Sequence, residues 1–430
     1  MVFIMTDFLA IALALIFGLL FTRITSLLKL PDVTAYLIAG VLIGPYCLGQ
    51  LGVEGLGFTG MESIEKVGFI SDVALGFIAF AIGNEFRLSH LKETGKQATI
   101  VGILQAVVTT IVVDAALIGL HFVLGDKLPL EAAVVLGAIA SATAPAATLM
   151  VVRQYKAKGK LTDMLLPVVA LDDAVGLAIF AVSFGVAEAI AGGSVNVLSI
   201  VLEPLIEIVG SLIMGAVLGA LLTQLEKLFH SNRNRTSLII GFVLVTVGLS
   251  MLKFEVAGIH VGFSSLLVCM MLGSVFCNMC PLSEDLMERS DKWTAPLLAL
   301  FFVLSGAELE LSVFTDIAVV GIGVAYILSR CLGKYFGAYS SCAIAKTDAN
   351  VKKYLGVTLF PQAGVALGMC SIAAASLSSG GLVRNIILFS VLVYEIVGPM
   401  LTKISLVKAG DIHDKKIDRR QHLLESKGVK

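Results

Sequence analysis

The sequence predicts an all-α polytopic membrane protein with about 13 transmembrane helices, and three observations carry that expectation. The 430-residue chain is 57% hydrophobic and 15% charged, with a mean hydropathy of +0.95; a water-soluble protein of this length needs more charge on its surface. Its apolar residues fall in stretches of roughly 17–28, the length that crosses a bilayer as a helix. Runs such as IALALIFGLLF (11–21) lack the alternation of a transmembrane β-strand, and an open strand in lipid would leave backbone groups unbonded.

In order, the spans centre near residues 17, 40, 75, 110, 142, 175, 213, 243, 267, 302, 328, 365 and 395. The first shows neither a basic flank nor a small-residue cleavage site, so it reads as a span and not as a signal peptide. Alternate connections are basic. One set holds Arg23 and Lys29; Arg87, Lys92 and Lys96; Arg153, Lys156, Lys158 and Lys160; Lys227, Arg233 and Arg235; and Lys346, Lys352 and Lys353. Segments 45–62, 188–203 and 308–316 contain no Lys or Arg. The positive-inside rule makes the basic set cytoplasmic. The expected location is therefore the plasma (inner) membrane, with the N-terminus outside and a short basic tail, 409–430, inside. The net charge of −1 suggests no nucleic-acid partner; membrane lipid is the expected surrounding. The Cys277-x-x-Cys280 pair has no second pair and no nearby His, so it reads as packing, and no cofactor or resident metal is expected.

An internal inverted repeat is visible. FAIGNEFRLSHL (80–91) and FVLSGAELELSVF (302–314) share Phe, Gly and Glu at an offset of about 222 residues, on opposite sides of the membrane. Pro145 interrupts the fifth span and Pro361, followed by Gly364 and Gly368, the twelfth; proline removes a backbone donor, so both should be unwound there. DDAVG (172–176) matches YEIVG (394–398), which makes Glu395 a candidate secondary carboxylate. A domain of 1–408 is thereby divided into repeat one, about 1–190; a linker helix, about 197–226, whose odd crossing inverts the second half; and repeat two, about 235–408.

A charged residue at mid-membrane costs ~2.5–3.5 kcal/mol on insertion scales, so each needs a reason. Asp172 and Asp173 sit in the middle of LLPVVALDDAVGLAIFAV. The bland reading is an ion pair that locks two helices. The functional reading is a carboxylate that holds either a proton or a cation, never both, so that competition couples two fluxes. Hard cations want oxygen ligands, and Thr143 with the unwound carbonyls near Pro145 is a candidate source. Arg330 is the ion-pair partner assigned to Asp172, with Lys334 snorkelling toward the cytoplasm. Arginine keeps its proton, so this pairing favours one proton per cation and electroneutral exchange. Asp72, Asp114, Glu203 and Glu207 read as structural, and Glu85 and Glu308 as interfacial.

LPDVTAYLIAGVLIGP (30–45), GNEFRLSHLKETG, SATAPAATLMVV, LPVVALDDAVGL and LSRCLGKYFGAY together resemble the monovalent cation:proton antiporter superfamily, the sodium/proton exchanger family, and within it the two-aspartate Kef and NapA branch. The resemblance runs in order over nearly the whole chain. It implies a NapA-like fold with two crossed, interrupted helices, and a homodimer in which a core moves like an elevator. Core helices would occupy about 94–190 and 312–408, and dimerisation helices about 1–83 and 235–310. It also implies Asp173 as the cation- and proton-binding carboxylate, Asp172 as its ion-paired neighbour, Thr143 in the broken helix and Arg330 at the basic position, which is often Lys in this branch. The expected function is a secondary transporter and not an enzyme, exchanging Na+ first, or K+ or Li+, for H+ by alternating access. K+ efflux, a cation channel or an organic-anion:sodium symporter on the same fold are the alternatives. An intramembrane aspartyl protease is disfavoured because both Asp lie consecutively on one helix.

Overall fold

The computed structural model describes residues 2–28, 30–52, 57–84, 86–191, 197–252, 254–256, 259–309 and 316–412. Glu85, residues 310–315 and the tail beyond 412 lie outside the described residues. Repeat one comprises α1 (Val2–Leu27), α2 (Asp32–Ile43), α3 (Met61–Glu65), α4 (Gly68–Asn84), α5 (Leu88–Leu124), α6 (Leu130–Ile139), α7 (Pro145–Tyr155) and α8 (Lys160–Ile190). Helix α9 (Val197–Glu226) links it to α10 (Asn232–Ser250), α11 (Ser265–Met279), α12 (Ser283–Ala307), α13 (Ile317–Ile344), α14 (Ala349–Thr358), α15 (Gly364–Ser376) and α16 (Gly380–Ala409). With the five-residue α3 set aside, and α6 joined to α7 and α14 to α15, these make thirteen crossings among the described residues, as expected. A two-stranded antiparallel ribbon, β1 (Phe254–Val256) with β2 (Ile259–Val261), joins α10 to α11.

Local chemistry sets the helix starts that matter for the site. The Asp316 carboxylate accepts from the backbone N–H of Ala318 and Val319 and opens α13. Asp348 does the same for α14 through Asn350. Both satisfy donors that a helix N-terminus would leave bare. Six of the seven ion pairs among the described residues lie at the basic end of the molecule, among them Arg153–Asp291 at 2.8 Å and Arg235–Glu226 at 2.7 Å. The seventh is deep inside.

The inverted repeat shows in the packing. Helix α2 crosses α12 where Gly40 meets Gly306: a Cβ on either would lie 2.0 Å from the Val303 carbonyl oxygen or 2.2 Å from that of Leu37. Helix α4 crosses α11 in the same way at Gly83 and Gly273, where a Cβ would lie 1.9 Å from the Met270 carbonyl oxygen and 2.1 Å from that of Phe80. Each crossing takes one helix from each repeat, and exchanging the repeats converts one crossing into the other. Such close backbone approach needs glycine.

The two breaks repeat as well, at an offset of 219 residues (139 to 358, and 145 to 364). They touch at mid-molecule, where the Ala144 N–H donates to the Pro361 carbonyl at 2.8 Å. Pro145 opens the second half-helix as its first residue, a position where its missing donor costs nothing; Pro361 lies inside the other break. Helices α5, α8, α13 and α16 surround this crossing.

Candidate functional site

Helix ends leave bare N–H groups at one terminus and bare carbonyls at the other. Four half-helices therefore point four partial charges at one place, and the buried side chains around them answer that field. Arg330 lies on α13 with no exposure to solvent. Its Nε donates to the Ala140 carbonyl at 2.9 Å, and its terminal nitrogens donate to Ala142 and Phe360, both at 2.7 Å. One guanidinium thus satisfies bare carbonyls of both breaks. Its carbon lies 4.6 Å from the centre of the Tyr394 ring, and the Tyr394 hydroxyl donates to the Ile327 carbonyl at 3.0 Å. Gln362, in the second break, donates to the Ile139 carbonyl at the end of α6, at 2.9 Å.

The expected pairing of Arg330 with Asp172 is therefore corrected. Lys334, one turn further along α13, holds Asp172: its Nζ lies 2.8 Å from Oδ2, with both side chains fully buried. The same ammonium donates to the Thr143 hydroxyl at 3.0 Å, to Gln105 Oε1 at 3.1 Å and to the Ser141 carbonyl. Asp172 also accepts from the Thr143 hydroxyl at 2.5 Å and from Gln105 Nε2. The physical reason is helix length. Helix α13 runs on to Ile344, so Lys334 lies ~15 Å short of its end, while Asp172 lies ~18 Å from the start of α8 at Lys160. The lysine is at the aspartate's depth and has no route to the surface. Snorkelling is excluded.

Asp173 points elsewhere, as neighbours ~100° apart on a helix must. It is 1% exposed, and neither carboxyl oxygen has a hydrogen-bond partner among the described residues. Thr143, expected to line a cation site, has its hydroxyl engaged by Asp172 and Lys334. Sequence reasoning missed Gln105 and Gln362, both with no exposure. The available signal was an uncharged polar side chain in the middle of an apolar span.

Glu395, on α16, is 4% exposed. It lines a cavity of about 560 Å³ between α3, α4, α11 and α12 on one wall and α7, α15 and α16 on the other. The cavity reaches both breaks, at Ala144, Pro145 and Ala363, but not Asp173. Among the described residues, no group of three or more His, Cys, Asp or Glu side chains is placed to hold a metal ion.

An inverted repeat, two interrupted helices crossing at mid-molecule and a buried Asp–Lys pair beside an unpaired carboxylate define a multi-pass secondary transporter, not an enzyme. Residues 11–408 match the family model described as sodium/hydrogen exchanger, transmembrane, and the chain belongs to that family of cation/proton antiporters. It is similar to K(+)/H(+) antiporter subunit KhtU of Bacillus subtilis (strain 168), at 23% identity over 91% of each chain. It is similar also to high-affinity Na(+)/H(+) antiporter NhaS3 of Synechocystis sp., at 24% identity over 81% of this chain and 78% of that one. Cation/H(+) antiporter 19 of Arabidopsis thaliana is 24% identical over 81% of this chain, which spans only 43% of that relative's length. The sodium proton antiporter MjNhaP1 from Methanocaldococcus jannaschii at pH 8 shares the fold, with a TM-score of 0.66 at 19% identity over 94% of this chain and 99% of that one.

Proposed function

We propose that Asp173 is the carrier of a cation:proton antiporter and that the Lys334–Asp172 pair is the second element of its cycle. The observation that carries this reading is the contrast between the carboxylates. Asp172 is fully hydrogen-bonded, whereas Asp173 is equally buried and unpartnered among the described residues. A buried carboxylate without a donor is neutralised by a proton or a cation. A cation bound to Asp173 draws Asp172 into its shell, the ion pair opens, and Lys334 gives up its proton. Lysine can do this when buried, and arginine cannot. Each cation then exchanges for two protons, one from Asp173 and one from Lys334, and one net charge crosses per cycle. The electroneutral expectation rested on Arg330 and is withdrawn with it.

Na+ is the first candidate ion. The second reading, K+, is supported by the Bacillus relative, which aligns over nearly all of both chains. The location assigned is the plasma membrane, with the N-terminus outside. Helices α5–α8 and α13–α16 form the moving core, and α1–α4 with α10–α12 the dimerisation domain of a homodimer. The wide apolar exposure of α1, for example Phe8 at 69% and Leu20 at 61%, supplies a face for lipid or a second copy. Transport in proteoliposomes tests the central claim. Dissipation of a pH gradient by Na+ or K+ should generate a membrane potential and should be lost in Asp173→Asn. A variant that transports like the wild type would overturn the assignment.

A further inference from the structure

Asp173 has a structural counterpart in the second repeat, and the correspondence extends to its neighbours. In DDAVG and YEIVG, each glycine three residues after the acid packs on a break. A Cβ on Gly176 would lie 3.1 Å from Ser141 Oγ in the first break, and one on Gly398 would lie 2.9 Å from Pro361 Cγ in the second. The residue before each acid meets a basic residue of α13: Asp172 meets Lys334, and Tyr394 meets Arg330. Glu395 therefore stands to the second break as Asp173 stands to the first. Both acids are more than nine-tenths buried, and Glu395 makes no hydrogen bond or ion pair with any described residue. The difference lies in access. Glu395 faces the cavity, and Asp173 does not.

We propose that Glu395 is a second site for a monovalent cation or a proton, on the wall of this cavity. Its carboxylate supplies the charge. Ser305 on the opposite wall, and Ala144 and Ala363 where the half-helices part, line the same space. Arg384, three turns earlier on α16, and Glu65 and Glu308 line the cavity too, so the site's electrostatics are set by three carboxylates and one guanidinium. Proton and cation compete for Glu395 as they are proposed to compete for Asp173. Because α16 belongs to the same helix cluster as α8, an occupant of Glu395 moves when the core moves. The proposal extends the Asp173 reading without depending on it.

Proton release separates the two. Saturating NaCl, and separately KCl, is added to purified protein in weak buffer from about pH 6 to about pH 9, with choline chloride as the control. Released protons are counted for wild type, Glu395→Gln, Asp173→Asn and the double variant. Glu395→Gln should release fewer protons per protomer than wild type, and Asp173→Asn should retain the portion that the double variant loses. Glu395→Asp, which keeps the charge, should restore release and so exclude misfolding as the cause. Release from Glu395→Gln equal to wild type with both salts overturns the proposal. If Asp173→Asn alone has no effect while Glu395→Gln does, Glu395 stands and the Asp173 reading fails.

Discussion

Lys334 Nζ lies 2.8 Å from Asp172 Oδ2, with neither side chain exposed, and this contact shows which basic residue of α13 belongs to the carboxylate pair. Removing one member of a buried pair strands the other, at a cost of ~3–5 kcal/mol, whereas removing both can be nearly neutral. Lys334→Gln alone should therefore lower the melting temperature strongly, and Asp172→Asn with Lys334→Gln should recover most of the loss. Thermal melts of Asp172→Asn, Lys334→Gln and the double variant give the coupling energy. Additive losses would show that the two groups do not share an ion pair.

The contacts of Arg330 predict a different signature. Its three shortest bonds go to carbonyls in both breaks, and a lysine, with donors at a single point, cannot span them. Arg330→Lys should lose ~2 kcal/mol or more, since hydrogen bonds to a charged group contribute ~1.5–3 kcal/mol each. Its coupling to Asp172→Asn should stay within ~0.5 kcal/mol, as for independent sites. A coupling as large as that of Lys334 would restore the Arg330–Asp172 pairing.

These two residues mark where sequence reading ran out. They stand four apart on one face of α13, and pattern alone cannot say which meets an acid on another helix. The choice turned on where the span ends, and α13 continues well past the bilayer length that hydropathy suggests. The breaks were legible because a proline at mid-span removes a donor and crowds the preceding turn wherever it falls. The acids were legible because a charge there is costly. Gln105 and Gln362 gave a weaker signal, since an uncharged polar group is cheaper to bury. The Gly176–Gly398 correspondence was present in the sequence as a five-residue match; its meaning lay in what each glycine touches.

Asp173 offers a test without transport. Its carboxylate is buried with no partner among the described residues, so at alkaline pH the charged form is desolvated without compensation. Asp173→Asn has no charge to desolvate and should melt several degrees above wild type there. Saturating cation should raise the melting temperature of the wild type by more than that of the variant, which keeps only the Glu395 site. Equal stabilisation of both would place the cation elsewhere.

The glycine crossings predict opposite signs for one substitution at different places. In an open position, Gly to Ala in a helix stabilises by ~0.5–1 kcal/mol, because glycine has more freedom to lose. Gly321 on α13 and Gly241 on α10 have nothing within 4 Å of an added Cβ, so Gly321→Ala and Gly241→Ala should melt at or above wild type. Gly273 and Gly306 are the reverse case, with a Cβ only 2.1 Å and 2.2 Å from backbone oxygens of the crossing helix. Backbone cannot swing aside as a side chain can, so the helices must separate along their length, and overpacking of this kind costs ~1–3 kcal/mol or more. Gly273→Ala and Gly306→Ala should each destabilise, and by similar amounts, because they lie in the two crossings that exchange of the repeats interconverts. A large loss at one with none at the other would break that equivalence, and with it the packing symmetry on which the placement of Glu395 opposite Asp173 depends.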